Sequence, residues 1–341
     1  MHIPDGYLSP QTDAVLGLVS AITAAVAASK TASTVRAKYI PMLSVGAAFS
    51  FTIMMFNIPI PDGTTAHAVG GSLLAVILGP WAAMISVSIA LIIQALFFGD
   101  GGILALGANI FNMGIVLPFV SYAIFQLIAG KSDTLSKRRM IGAGIAGYVG
   151  INMAALCAGI EFGLQPILFH TANGTPLYSP YGLGVAIPAM AFAHLSIAGP
   201  VEGVVTGLVI AYLQRSNPVL LQMRADSEKS ASSIPYGRYI AGLIVIALLT
   251  PLGLLASGTA WGEWGGEDLQ AKLGFVPTGL QKLGDFWNHI LFKDYGIAGF
   301  DQSFWRQALG YIISAFFALL VIGIIGFTIQ RFTRKSEGNT Y

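Results

Sequence analysis

The 341 residues are 55% hydrophobic and 10% charged, with a net charge of +2 and a mean hydropathy of +0.71. Soluble domains carry roughly 25% charged residues, so this chain lacks the polar side chains to cover a water-facing globule, and no basic patch suits a nucleic acid. Its long continuous runs of Ala, Leu, Ile and Gly, without barrel-type alternation, specify an all-α integral membrane fold in a lipid bilayer. The single cysteine, Cys157, excludes an internal disulfide framework and a Cys-based zinc site, and it reads as a packing residue in an apolar run.

The chain opens Met1-His2-Ile3-Pro4-Asp5-Gly6-Tyr7-Leu8, with no basic n-region and no convincing cleavage site after the first apolar run. The expectation is a start retained as written, with Met1 kept because His2 is too bulky for its removal, and with a free terminal amine. Apolar segments follow at 11–29, 40–57, 66–79, 80–98, 103–129, 139–160, 184–213, 239–256 and 305–330. The third is short for a full crossing and meets the fourth at Gly79-Pro80, a turn signal, so it reads as a tilted helix or a re-entrant half-helix. With the N-terminus outside, fourteen of the 18 basic residues fall in cytoplasmic loops, among them Lys30, Arg36, Lys137, Arg138, Arg224 and Arg334. The reading is therefore N-out and C-in, in the cell membrane.

The polar stretch 214–237 reads as a cytoplasmic linker between a unit at 1–213 and a two-span hairpin at 238–335. The hairpin's external loop, 257–304, holds Trp261, Trp264 and Trp287, and Trp305 follows it; these suit a membrane interface. Small residues at four-residue spacing, Ala21/Ala25, Ala24/Ala28 and Gly142/Ala146/Gly150, allow close helix packing within the chain or against a partner.

Of five histidines, His2 is the informative one. A histidine behind a free α-amine offers three nitrogens to one ion: the amine, the residue-2 backbone nitrogen and imidazole Nδ1. The fourth corner is open to another imidazole, and all-nitrogen planar ligation favours Ni(II) or Cu(II) over Mg²⁺ and Ca²⁺. By the topology, His67 lies on the same face of the membrane as the N-terminus, after the stiff turn Pro59-Ile60-Pro61-Asp62-Gly63. Ligation needs a deprotonated amine, so binding should release protons and weaken as pH falls. Asp5, Asp62, Asn109 and Asn112 are candidates to orient the imidazoles. His194 and Glu202 lie in the seventh segment, and an intramembrane charge at Glu202 either contacts an ion in transit or locks helices together. His170 and His289 read as loop residues facing water or headgroups. Gly130-Lys131-Ser132 imitates a phosphate loop, but Phe125 stands where its first glycine belongs, and HExxH and GxSxG are absent.

Three motifs carry a family resemblance: MHIPDGYLSP at the start, PDGTTAHAVGGSL around His67, and AHLSIAGPVEGVVTGLVIAYLQ around Glu202. With them the chain resembles the nickel/cobalt branch of energy-coupling-factor transporters, specifically the substrate-binding M component (the CbiM/NikM family). The region from Ile244, with TPLGLLASGTAWGEWG at 250–265, is similar to the small N component fused behind it. The resemblance implies a bundle of about seven helices plus a C-terminal two-helix hairpin. It implies metal held by the Met1 amine, the His2 backbone and ring nitrogens, and His67. It also implies a transmembrane coupling protein and cytoplasmic ATPase subunits as partners, with Ala21, Ala24, Ala25 and Ala28 as docking residues. ATP hydrolysis would belong to those partners, and the chain itself would be no enzyme and hold no permanent cofactor. The start MHIPDGYL and the fused hairpin resemble nickel members, whereas cobalt members tend toward MHIMEG. Cobalt uptake for cobalamin synthesis, a passive metal channel and a membrane-embedded metalloenzyme are the competing readings.

Overall fold

The computed structural model describes residues 1–34, 40–60, 64–222, 236–256 and 258–338. Helix α1, Pro10–Thr34, begins where Ser9 Oγ accepts the Thr12 N–H at 3.1 Å, with Pro10 at the first helical position. Its 25 residues reach about 37 Å at 1.5 Å per residue, enough to cross a bilayer. Helix α2, Ile40–Met54, has 15 residues and is shorter than a crossing. It leads into a small antiparallel hairpin, β1 (Ile58–Ile60) and β2 (Thr64–Ala66), in the register Ile58↔Ala66 and Ile60↔Thr64.

After β2 come His67 and helix α3, Gly71–Leu78, then Gly79 and helix α4, Pro80–Ile93. Eight residues reach only about 12 Å, so α3 as a helix is shorter than a bilayer core. Gly79 takes φ 89°, and Pro80 is pre-set for the new helix, which together turn the chain back. Helix α4 ends in a widened π turn, Gln94–Phe98. Helix α5, Leu106–Asn109, runs through a second π turn, Ile110–Val116, into α6, Leu117–Ala129. Helix α7, Lys137–Leu168, packs on α6, on α8 (Leu183–Ala193) and on α9 (Gly199–Ser216), with a third π turn, His194–Ala198, joining the last two. Such turns insert one residue into the helical ladder and recur where a helix must re-aim its side chains.

The C-terminal unit is α10, Tyr236–Leu249, and the long α13, Phe304–Gly338, both packed against α2. The loop between them carries two short helices, α11 (Gly266–Leu273) and α12 (Thr278–Leu283). Among the described residues, seven helical segments are long and apolar enough to cross a membrane: α1, α4 with its π turn, α5–α6, α7, α8–α9, α10 with the 3₁₀ turn after it, and α13. The chain is a multi-pass helical membrane protein in which five long segments plus the shorter α2 and α3 precede a two-helix hairpin. Most of the linker expected at 214–237 lies outside the described residues, and α9 occupies its start as far as Ser216.

Small residues set the helix spacing inside the bundle. A Cβ on Gly150 would lie 1.9 Å from Ser121 Oγ and 2.9 Å from the Leu117 carbonyl, so α6 and α7 touch almost backbone to backbone there. Gly150→Val therefore forces these helices apart. The expected result is a loss of about 1–3 kcal/mol, read as a lower thermal unfolding midpoint in detergent.

Candidate metal centre

Residues 1–9 turn into the bundle instead of trailing from it, and Met1, His2, Ile3, Tyr7 and Leu8 are buried. Main-chain polar groups taken out of water need partners, and the bundle supplies them. The Ile3 N–H donates to Asn109 Oδ1 at 2.8 Å, and Asn109 Nδ2 donates back to the Ile3 carbonyl at 3.1 Å. Gly102 N–H also donates to that carbonyl, at 2.9 Å. The Asp5 carboxylate accepts the N–H groups of Ile103, Leu104 and Ala105, at 3.2, 2.8 and 3.3 Å, at the entrance to α5. Free N–H groups at a helix start favour an anion, while burial pushes the Asp5 carboxyl above its ordinary pKa. Gly6 takes φ +82°, and a Cβ there would sit 2.7 Å from Leu280 Cα, so the turn after Asp5 requires glycine.

This anchoring brings His2 to His67. Their ring centroids are 5.1 Å apart with the planes at 33°, and both side chains are buried. His67 Nδ1 lies 3.1 Å from the Ala68 carbonyl, which can only accept, so Nδ1 carries the proton and Nε2 presents its lone pair. That Nε2 is buried without a hydrogen-bond partner. His2 Nε2 lies 3.3 Å from Gln94 Oε1 and donates to it, which leaves the lone pair on Nδ1. Asp100 Oδ1 approaches His2 Nδ1 to 3.1 Å but outside hydrogen-bond alignment. The Met1 ammonium donates to Glu263 Oε1 at 3.0 Å. Among the described residues no group of three or more His, Cys, Asp or Glu side chains could hold a metal ion. An ion at this place depends on main-chain nitrogens joining two imidazoles.

Burial first, and then the ammonium of Met1, pull the His2 pKa down to about 4. The same two causes, followed by His2 itself, hold His67 well below its ordinary value. Both rings are thus neutral at physiological pH, the form that ligates metal.

The remaining sequence candidates divide. Asp5 and Asn109 tie the segment just after His2 to the bundle and hydrogen-bond to neither imidazole, so they place the segment and do not orient the rings. Asn112 is turned away, its Nδ2 donating to Glu161 Oε2 at 2.7 Å. Glu202 accepts the N–H groups of Val69 and Gly70 at 2.9 Å each and of Ser72 at 3.1 Å, closing the start of α3 just after His67. His194 Nδ1 is spent on Met190 O of its own helix at 2.8 Å. Asp62 lies outside the described residues. The sequence reading missed Gln94, Asp100 and Glu263. The available signals were a lone amide in the apolar run 80–98 and an acid immediately after it. The tryptophans also do more than face an interface. Trp261 packs on Phe162, with ring centroids 5.9 Å apart, Trp287 Nε1 donates to the Leu96 carbonyl at 2.9 Å, and only Trp305 of those four is exposed.

The chain is thus a multi-pass membrane bundle that folds its own N-terminus inward and sets His2 beside a second buried imidazole, His67. Residues 2–220 match the family described as "CbiM: Cobalt uptake substrate-specific transmembrane region", and residues 237–335 match the PDGLE domain; the chain belongs to the CbiM family. It is 48% identical to the fused nickel transport protein NikMN of Rhodobacter capsulatus, over 95% of this chain and 96% of that one. It is 47% identical to the probable fused nickel transport protein LarMN of Lactiplantibacillus plantarum, over 99% of this chain and all of that one. A solved structure described as a truncated transition metal transporter superposes with a TM-score of 0.59 at 61% identity, covering 62% of this chain and 98% of that one.

Two measurements check this centre. Because the unfolded chain takes up protons on histidine near pH 6.5 while folded His2 resists them until about pH 4, stability is full above pH 6.5 and falls as pH drops through that window. The unfolding midpoint in detergent with chelator should fall between those values, and a His2→Asn variant should lose part of that dependence. Glu202→Ala leaves three buried N–H groups unpaired, an expected loss of roughly 2–5 kcal/mol in the same assay.

Proposed function

We propose that this chain captures a divalent transition-metal ion, nickel before cobalt, as transported substrate. The ligands are the Met1 amine, the His2 backbone nitrogen and Nδ1, and His67 Nε2. The observation that carries the reading is the pair of buried imidazoles 5.1 Å apart beside the terminal amine, with His2 Nδ1 and His67 Nε2 both free of hydrogen bonds. The first three nitrogens close two chelate rings in one plane, and His67 fills the fourth corner. That geometry suits Ni(II), and the two fused relatives described above carry nickel in their names. A putative cobalt transport protein CbiM of Methanococcus voltae is 30% identical over 68% of this chain, which keeps cobalt as the second substrate.

Binding requires the Met1 amine to give up its proton, and Glu263 Oε1 is the acceptor at hand. With both rings already neutral, the protons released at pH 6–8 come from the amine and the His2 amide. Affinity therefore falls as pH falls. In this reading residues 1–213 form the metal-binding unit and 238–335 an accessory hairpin, with the N-terminus outside the cell membrane and the C-terminus inside. Ion release is driven by a separate transmembrane coupling protein and its ATPases, as the resemblance to energy-coupling-factor transporters implies. Ala21, Ala25 and Ala28 lie on the exposed side of α1, with Ala24 partly covered, a strip where such a coupling protein can approach closely.

The test is a Ni(II) and Co(II) titration of the full chain in detergent. A single residue added before Met1, and separately His67→Ala, should each abolish tight binding. An extended chain that binds as tightly as the native one would remove the terminal chelate from consideration.

A further inference from the structure

The loop at 258–303 touches the metal centre a second time, far from Glu263, through Tyr295. This tyrosine is buried, and its hydroxyl accepts from Gln94 Nε2 at 2.8 Å and donates to Asp100 Oδ2. Gln94 Nε2 makes its other contact with the same Asp100 Oδ2, at 3.4 Å. These contacts fix which way the Gln94 amide points. Rotated by half a turn, it would set its carbonyl oxygen against the Asp100 carboxylate and present an N–H to His2. In the observed orientation only the carbonyl faces His2, and a carbonyl can only accept. Asp100 Oδ1 lies 3.1 Å from Nδ1 but off hydrogen-bond alignment, so the aligned acceptor is Gln94 and it draws the His2 proton to Nε2, leaving Nδ1 as the lone-pair nitrogen, the one a terminal chelate uses.

The backbone is arranged to deliver this tyrosine. Asp294 and Tyr295 are the two non-glycine residues with positive φ among those described, 50° and 63°. Such conformations are unfavourable for ordinary side chains and persist where surrounding contacts over-determine them. Here the contacts are to the end of α4. Leu291 and Phe292 N–H groups both donate to the Phe97 carbonyl, at 3.0 and 2.9 Å, and Trp287 Nε1 donates to Leu96 O. The loop thereby satisfies carbonyls at the end of the π turn that carries Gln94. Tyr295 also stacks against Phe98, with ring centroids 5.1 Å apart at 29°.

We propose that Tyr295 and Gln94 are positioning residues of the metal site, through which the C-terminal unit selects the His2 tautomer that can bind the ion. The inference rests on the terminal-chelate reading above. It assigns the accessory unit a direct part in binding, so the 1–213 unit without it holds a site whose His2 ring is free to take the wrong tautomer.

The experiment compares the full-length wild type with Tyr295→Phe, Gln94→Ala and the double variant, by Ni(II) titration and by the visible d–d absorption of bound nickel. Outer partners of ligand imidazoles typically contribute 10–100-fold to metal affinity. Each single variant should therefore bind about 10–100-fold more weakly with a shifted d–d band, and the double variant should be no worse than Gln94→Ala because both act through one contact. Single variants that bind within twofold of wild type, or losses that multiply in the double variant, overturn the proposal. Trp287→Phe, which loosens the loop away from His2, is the control for a structural effect, and an equal loss there with the same spectrum also overturns it. A second readout does not depend on any variant binding metal: ¹⁵N NMR of imidazole-labelled, metal-stripped wild type, with His2 assigned by comparison with His2→Ala. The expected spectrum is the Nε2–H tautomer, becoming mixed in Tyr295→Phe; an Nδ1–H tautomer in wild type sinks the idea. If His67→Ala also leaves nickel binding intact, the terminal-chelate reading has failed; if only the Tyr295 and Gln94 variants are silent, this inference alone has.

Discussion

The Asp5 carboxylate on the entrance of α5 is the contact on which the rest of the centre depends. Three N–H groups of Ile103, Leu104 and Ala105 converge on it, and Asn109 brackets the backbone two residues earlier. A chain terminus is ordinarily the least ordered part of a protein. Here it is tied down by polar bonds that would be costly to leave unmade inside a membrane bundle. Met1 and His2 then have little freedom, and the amine and imidazole meet His67 without any of the three residues belonging to a long helix.

His67 is held from its other side by equally economical means. A glutamate from the first turn of α9 reaches three backbone N–H groups around the start of α3 and braces the loop carrying the second imidazole. Ser50 Oγ adds a bond to the Val69 carbonyl at 2.8 Å. The chain after His67 runs along α3 to the far end of the bundle, where Ile77 and Leu78 lie with Asn217, Leu220 and Arg238, and α4 then returns to set Gln94 and Asp100 beside His2.

The C-terminal unit is part of this architecture. Glu263 pairs with the Met1 amine, the Trp264 carbonyl accepts the Tyr7 hydroxyl at 2.8 Å, and Tyr295 closes the polar triangle with Gln94 and Asp100. These contacts enter from separate stretches of one loop, so the accessory hairpin covers the N-terminal segment and also shapes its surroundings. The same covering explains why the tryptophans of that loop, apart from Trp305 at its end, pack onto the bundle.

Composition alone decided that this chain lives in a membrane as helices, because 10% charged residues cannot solvate a globule and 20-residue apolar runs have few other fates. Local chemistry supplied the donor set that the proposal rests on, since a histidine at position two behind a free amine offers a chelate by connectivity. The family resemblance was legible in three short motifs for the same reason, since each is a contiguous stretch. What the sequence left open was every assignment that depends on residues far apart meeting. Glu202 and Ser72 are 130 positions apart, and Gln94 and Tyr295 are 201 apart; no periodicity or spacing encodes such pairs. An intramembrane glutamate is equally consistent with an ion path and with a backbone brace until its partners are seen. Only the tertiary fold decides between them, because the energy of a buried polar group is set by what it touches and not by what it is.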